Sequence, residues 1–332
     1  MSRPVCRLIC RQCATHALFA TAVFAAPVAI AQSPAWPAKP LRMIVPFPPG
    51  GGIDTVARVF SPRLSELLGQ PVVIDNRSGA GGTVGTEVVA RATPDGYTLL
   101  ATFASHAMNA TLYKDLSYDT ERAFAPISLL ATVPNILVVH PSLPVKSVSD
   151  LIALAKKRPG DINFASVGNG TPAHLSAELF NMMAGVRMTH IPYKGAAASI
   201  IGMIGGETQL TFTTVLIALP HVKAGKLRAV AVTTPTRSAL LPDVPTVDET
   251  GLKGYESIAW YGLLAPANTP AMIVERLHAD TVRTLQTPEV RDNLTRQGTE
   301  IVASTPARFA QVIREDIAKW SKVVKAAGVK VD

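Results

Sequence analysis

Three glycine-rich turns are the places where this chain can present bare backbone to a ligand. The first is Pro48-Pro49-Gly50-Gly51-Gly52, followed by Asp54. The second is Ser78-Gly79-Ala80-Gly81-Gly82-Thr83 and the third Ser166-Val167-Gly168-Asn169-Gly170-Thr171. Each follows a strand-like run and opens a helix-like one. Glycine lets N–H groups approach a bound group closely, and a helix N-terminus adds the positive end of its dipole, so such turns suit an anion. The prolines stiffen the first turn, and less entropy is lost when a ligand binds. A nucleotide is the weaker reading. The G-x-x-x-x-G-K-[ST] pattern is missing, and Ala173 stands where a full G-x-G-x-x-G would need its third glycine. A carboxylate fits three separate donor-rich turns better. Any one turn taken singly is as readily a packing device, and Asp54 reads first as a helix cap and only second as a ligand contact.

Catalytic signatures are thin. There is no G-x-S-x-G and no H-E-x-x-H. His174 and Glu178 share a helix face at i, i+4, but without a third ligand nearby they read as a surface pair and not as a metal site. His106, His140, His190, His221 and His278 are isolated, and Phe47 and the pair Trp260-Tyr261 read as core before pocket wall.

The elements that must position these turns alternate. Strand-like Leu41–Pro46 precedes helix-like Thr55–Leu68; Val72–Asp75 precedes Thr83–Arg91; Tyr97–Thr102 follows. Ile136–His140 then precedes Val148–Lys157, and Ile162–Ala165 precedes Pro172–Ala184. This order predicts an α/β fold of mainly parallel sheets covered by helices. Ser61-Pro62 predicts a kink or a restart inside the first helix. In the tail, Thr269-Pro270, Thr287-Pro288 and Thr305-Pro306 each place an N-cap residue before a proline, which predicts three helices. The last carries the stripe Phe309, Val312, Ile313, Ile317, Trp320, Val323 and Val324 until Gly328 stops it.

The first 31 residues have the anatomy of a secretory leader: Arg3, Arg7 and Arg11, an apolar run from Ala14 to Ile30, and small residues Ala29 and Ala31 before Gln32. The run is too short for a membrane span, which takes roughly 20 residues. Cys6, Cys10 and Cys13 all lie in this leader, so the exported chain is expected to have no disulfide, thiolate or Cys–metal chemistry, and no lipid-anchor cysteine. Loss of the three leader arginines takes the formal charge from +8 to +5. The remaining basic residues are scattered among acids, which argues against nucleic-acid binding. About 300 residues is large for one core and normal for two lobes.

Long stretches resemble one family. "WPAKPLRMIVPFPPGGGIDTVAR", "LGQPVVIDNRSGAGGTVGTEVVARATPDGYTLL", "FASVGNGTPAHLSAELF", "HIPYKG", "AGKLRAVAVTT", "LPDVPTVDETG" and "WYGLLAPANTP" are similar, in order, to the substrate-binding receptors of tripartite tricarboxylate transporters, the Bug family. The resemblance implies a two-lobed type II periplasmic binding protein fold, hinged by strands crossing near Thr132–Ile136 and Gly254–Trp260. It implies lobe one from residues 32–134 and 256–332, with the three C-terminal helices packed on it, and lobe two from 135–255. It further implies that the first and third turns grip a carboxylate from opposite lobes, partly through water. The ligand contacts expected are Phe47, Pro48, Pro49, Gly50, Gly51, Asp54, Gly81, Gly82, Ser105, Ser166, Gly168, Gly170, Thr171, His174 and Thr213.

One departure bears on the ligand. Where family members often carry an acid followed by Asn, this chain has Thr213-Thr214, so the ligand is expected to lack an ammonium group. The expected function is a non-enzymatic, monomeric periplasmic receptor without cofactor. It captures a di-, tri- or aromatic carboxylate by lobe closure and passes it to integral membrane subunits. Two other readings share the sequence: a ligand sensor for a membrane histidine kinase, and an exported enzyme acting on a carboxylate, for which no nucleophile–base pair can be assembled.

Overall fold

The computed structural model describes residues 36–331; the proposed leader with its three cysteines lies outside the described residues. The elements run β1 (Leu41–Val45), α1 (Gly52–Leu68), β2 (Val72–Asn76), α2 (Thr83–Ala90), β3 (Thr98–Phe103), α3 (Ser105–Leu112) and β4 (Phe124–Val133). They continue with β5 (Asn135–Val139), α4 (Val148–Lys157), β6 (Asn163–Ser166), α5 (Pro172–Ala184), β7 (Thr189–Pro192), α6 (Ala196–Ile204), β8 (Leu210–Thr214), α7 (Val215–Lys223) and β9 (Arg228–Val232). The chain closes with β10 (Ala259–Pro266), α8 (Ala271–Gln286), α9 (Pro288–Arg296), β11 (Glu300–Ile301) and α10 (Pro306–Ala327).

Two sheets result, ordered β11-β4-β10-β3-β1-β2 and β7-β6-β8-β5-β9. In each, one strand runs antiparallel to the two parallel strands it separates, β10 between β3 and β4 and β5 between β8 and β9, and at the edge of the first sheet β11 also pairs antiparallel with β4. The inserted strands β5 and β10 are the first to arrive after the chain changes sheet. β4 ends at Val133 and β5 begins at Asn135, with Pro134 alone between them. Both sheets are therefore mixed: a strand entering from the opposite sheet runs against those built by strand–helix–strand turns.

The short apolar strands Met43-Ile44-Val45 and Ile136–Val139 are wholly buried because helices cover both sheet faces. α1 runs unbroken through Pro62, with neither a restart nor non-helical residues inside it. The C-terminal helices start as their Thr-Pro pairs predict at Thr287 and Thr305, but α8 begins one residue later, with Pro270 in the cap position. Thr269 instead turns its hydroxyl to the Pro266 carbonyl at 2.8 Å. α10 packs on α3 and β4 of the first sheet and also on α5 of the second. Its stripe residues Phe309, Ile313, Trp320, Val323 and Val324 share one apolar core with Leu175, Leu179 and Phe180 of α5.

Candidate functional site

A cavity of about 630 Å³ lies between the two sheets. From the first sheet it takes Phe47–Ile53, Phe103 at the end of β3, and Ala259 and Tyr261 of β10. From the second it takes Asn135, Val167, Thr171–Ala173, Ala196, Phe212–Thr214 and Ile217. No Asp, Glu, Lys, Arg or His is among these residues, so recognition of an anion falls to backbone dipoles and neutral hydroxyls.

Helix N-termini supply those dipoles. α1 starts behind Gly51 and α6 behind Gly195, neither of which offers a side-chain cap. α5 starts behind Thr171, whose hydroxyl is turned away to the Gly168 carbonyl at 2.7 Å, leaving the first turn uncapped. First-turn N–H groups have no partner within their own helix, so the open ends of α1, α5 and α6 point unclaimed donors at the cavity from both lobes. α7 differs: Thr214 caps it by accepting the Ile217 N–H at 3.4 Å. Between these polar ends lies an apolar wall of Phe47, Phe103, Phe212 and Ile217, with Phe47 and Phe103 at a centroid separation of 4.5 Å.

Of the expected contacts, the fold brings Phe47, Pro48, Pro49, Gly50, Gly51, Thr171 and Thr213 to the cavity wall. Asp54 stands behind it, in the first turn of α1 and not in the cap position that the sequence suggests. Its buried carboxylate accepts the Gly50 N–H at 2.9 Å, Asn76 Nδ2 at 2.9 Å and Arg58 Nε at 2.8 Å. Burial alone pushes its pKa up; the hydrogen bonds from Arg58, Gly50 and Asn76 outweigh this and hold it below the usual carboxylate range.

Neither Gly81 nor Gly82 lines the cavity: Gly81 packs against Tyr113 and accepts from Asn109 Nδ2 at 2.9 Å, and Gly82 backs a wall residue. A Cβ on Gly82 would come 2.6 Å from the Phe47 ring, and its φ of 96° is left-handed. The glycine lets the second turn support Phe47 from the rear. Ser105 is buried in the first turn of α3, away from the cavity wall. The third turn spends most of its donors on itself: Gly168 N–H goes to Ser166 Oγ at 3.1 Å and Gly170 N–H to His174 Nδ1 at 3.1 Å. Ser166, Gly168, Gly170 and His174 thus shape the turn, while Val167 and Thr171 face the cavity. Arg77 pairs with Asp75 at 3.0 Å, and neither it nor Lys194 lines the cavity.

Sequence reasoning missed several wall residues. Tyr261 lines the cavity while its neighbour Trp260 is core, the alternation of a strand deciding between them. Asn135 was also missed: it sits at the sheet-to-sheet crossing, faces the cavity, and its amide has no partner among the described residues.

Residues 56–329 match the family model described as "Tripartite tricarboxylate transporter family receptor". The chain is 38% identical to protein BugT of Bordetella pertussis over 94% of this chain and 95% of that protein. The chain belongs to the tripartite tricarboxylate transporter receptor family. It is thus a solute-binding receptor of the Bug type, and family members are periplasmic binding proteins. An R. palustris protein solved with adipate is 38% identical, with TM-score 0.75 over 89% of this chain and 99% of that one. MatC of Rhodopseudomonas palustris with bound malate is 33% identical, with TM-score 0.72 over 87% and 100% of the two chains. The receptor fold places two lobes around the cavity described above. Among the described residues no helix is long and apolar enough to cross a membrane, and no cluster of three or more His, Cys, Asp or Glu is arranged to hold a metal ion.

Proposed function

We propose that this receptor captures a small dicarboxylate lacking an ammonium group, held across the cleft with one carboxylate toward α1 and the other toward α5 and α6. The observation that carries the reading is the pairing of uncapped helix N-termini on both sides of a cavity without a charged wall residue. Preorganised neutral donors in a water-poor cleft stabilise a carboxylate without a cation, and ordered water bridges remaining gaps. The apolar middle suits a methylene or aromatic spacer. With Thr213 and Thr214 on the wall, no carboxylate is present there to hold an ammonium. The adipate and malate bound by the two R. palustris relatives support the class.

In this reading residues 1–31 are removed on export. Residues 32–134 and 256–332 form one lobe and 135–255 the other, and the monomer closes on its ligand and docks transiently on the membrane subunits without chemical conversion. Thermal unfolding of the chain from Gln32 onward is the test, against mono-, di-, tri- and aromatic carboxylates and acidic amino acids. A ligand at about a hundred times its Kd adds roughly 2.7 kcal/mol and raises Tm by several degrees. A shift restricted to dicarboxylates supports the reading; a shift with amino acids alone overturns it. No shift after unfolding and refolding to strip bound ligand overturns it as well.

A further inference from the structure

Behind the third turn two imidazoles lie face to face. His174 of α5 and His190 of β7 stack with centroids 3.7 Å apart and planes 11° apart, and Phe164 lies beside both rings, 5.0 Å from His190 and 6.0 Å from His174. Each ring holds one end of the turn. Gly170 donates its N–H to His174 Nδ1 at 3.1 Å, so that nitrogen carries no proton. Ser166 Oγ lies 2.6 Å from His190 Nε2 and also accepts the Gly168 N–H at 3.1 Å. His174 and Ser166 are buried, 6% and 0% exposed.

We propose that His174 and His190 are positioning residues: as a neutral stacked pair they latch the Ser166–Thr171 turn in the form that presents Val167 and Thr171 to the ligand. The inference rests on the reading of the cavity as the carboxylate site. A proton on His174 Nδ1 would turn that acceptor into a donor facing the Gly170 N–H, and two imidazolium rings at this separation would repel. The charged or titratable groups facing the pair are Glu178 of α5, whose Oε1 is 3.7 Å from His174 Nε2, and each ring's partner; β6 contributes only Phe164 and Ser166. Burial first, and then the neighbouring His174, lower His190 to about 4, against a smaller opposite pull from Glu178. Its folded pKa is below its unfolded value, so the latch is complete above about pH 6.5 and is lost as pH falls toward 4.

Adipate is the probe, titrated calorimetrically between pH 7.5 and 4 with wild type, His174→Ala/His190→Ala, and His174→Asn/His190→Gln, whose amides reproduce both hydrogen bonds without titrating. The alanine pair is expected to weaken adipate binding at pH 7.5 by tenfold or more, and the amide pair to recover most of that loss. Between pH 7.5 and 4 the wild type is expected to lose affinity about twofold beyond the amide pair, which removes the contribution of adipate's own ionisation. Superposable pH profiles, or an alanine pair that binds like wild type, overturn the proposal. If adipate does not bind at pH 7.5, the latch is judged by NMR of the free protein, independently of which dicarboxylate the cleft takes. Gly168 and Gly170 amide resonances that titrate with the imidazole nitrogens support it, and amides that stay fixed while the rings titrate overturn it.

Discussion

Asn76, the last residue of β2, donates its amide both to the Asp54 carboxylate at 2.9 Å and to the Phe47 carbonyl at 3.0 Å. Asp54 in turn accepts the Gly50 N–H, and Arg58 closes the network by donating Nη2 to Asn76 Oδ1 at 3.1 Å. The loop that begins at Phe47 and ends at Gly50 is therefore pinned at both ends before any ligand arrives.

Asn76→Asp removes both donations and sets two carboxylates side by side. Calorimetric titration with the ligand identified by thermal shift is expected to show an affinity loss of tenfold or more, while Asn76→Gln, which keeps the amide, loses less. Equal affinity for Asn76→Asp and wild type would separate this network from the site.

Two adjacent glycines are expected to behave differently. Gly51 has an ordinary φ of −74° and only the Pro48 carbonyl, 3.6 Å from a built Cβ. Gly51→Val should fold with little change in Tm and block the cavity. Gly52 faces the Tyr261 hydroxyl so closely that Gly52→Ala forces the two apart, and Tm is expected to fall along with affinity; Tyr261→Phe in the same chain should restore part of both.

Thr213→Asp puts a carboxylate on a cavity wall that has none. Dicarboxylate affinity is expected to drop at least tenfold and an acidic amino acid to gain relative affinity, read by competition in one calorimetric series. Unchanged dicarboxylate binding would remove Thr213 from the site.

His106 is fully buried and its Nε2 lies 3.0 Å from the Thr120 carbonyl, pairing as donor to acceptor. Burial, only partly opposed by that hydrogen bond, lowers its pKa to about 4. The unfolded ring takes up a proton near pH 6.5 and the folded one does not, so stability is complete above pH 6.5 and drains between there and about pH 4, by roughly 3 kcal/mol from this residue. Urea unfolding across that window should show the loss, and His106→Gln should flatten its share of it.

Trp260 Nε1 donates to Asp316 Oδ2 at 2.7 Å, tying the strand that returns from the second lobe to α10, with Lys319 balancing the carboxylate at 2.8 Å. Asp316→Ala strands a buried indole N–H at a cost of about 1–3 kcal/mol. Urea unfolding measures it, and a change under 0.5 kcal/mol would mean water replaces the carboxylate.

The strand–helix alternation, the helix boundaries at Thr287 and Thr305, and the first turn's place on the cavity wall were legible in the sequence because each follows from local chemistry: apolar periodicity, proline at the first helical position, and glycine at a strand-to-helix turn. Ser166, Gly168, Gly170 and His174 were legible as a cluster but not in their orientation. Whether an N–H faces the cleft or its own turn depends on His174 and His190, which are 16 residues apart in sequence and stacked in space.

By itself the sequence determined the α/β class, the absence of a charged residue from the three turns, and the chain's resemblance to a carboxylate receptor. Tertiary structure alone decided which strands run antiparallel, that Tyr261 and not Trp260 meets the cavity, and that three helix N-termini converge on one space. The physical reason is range. Propensity and capping act within a few residues, whereas a binding site between two sheets is made by pairings across more than a hundred, such as that of Tyr261 with Phe103.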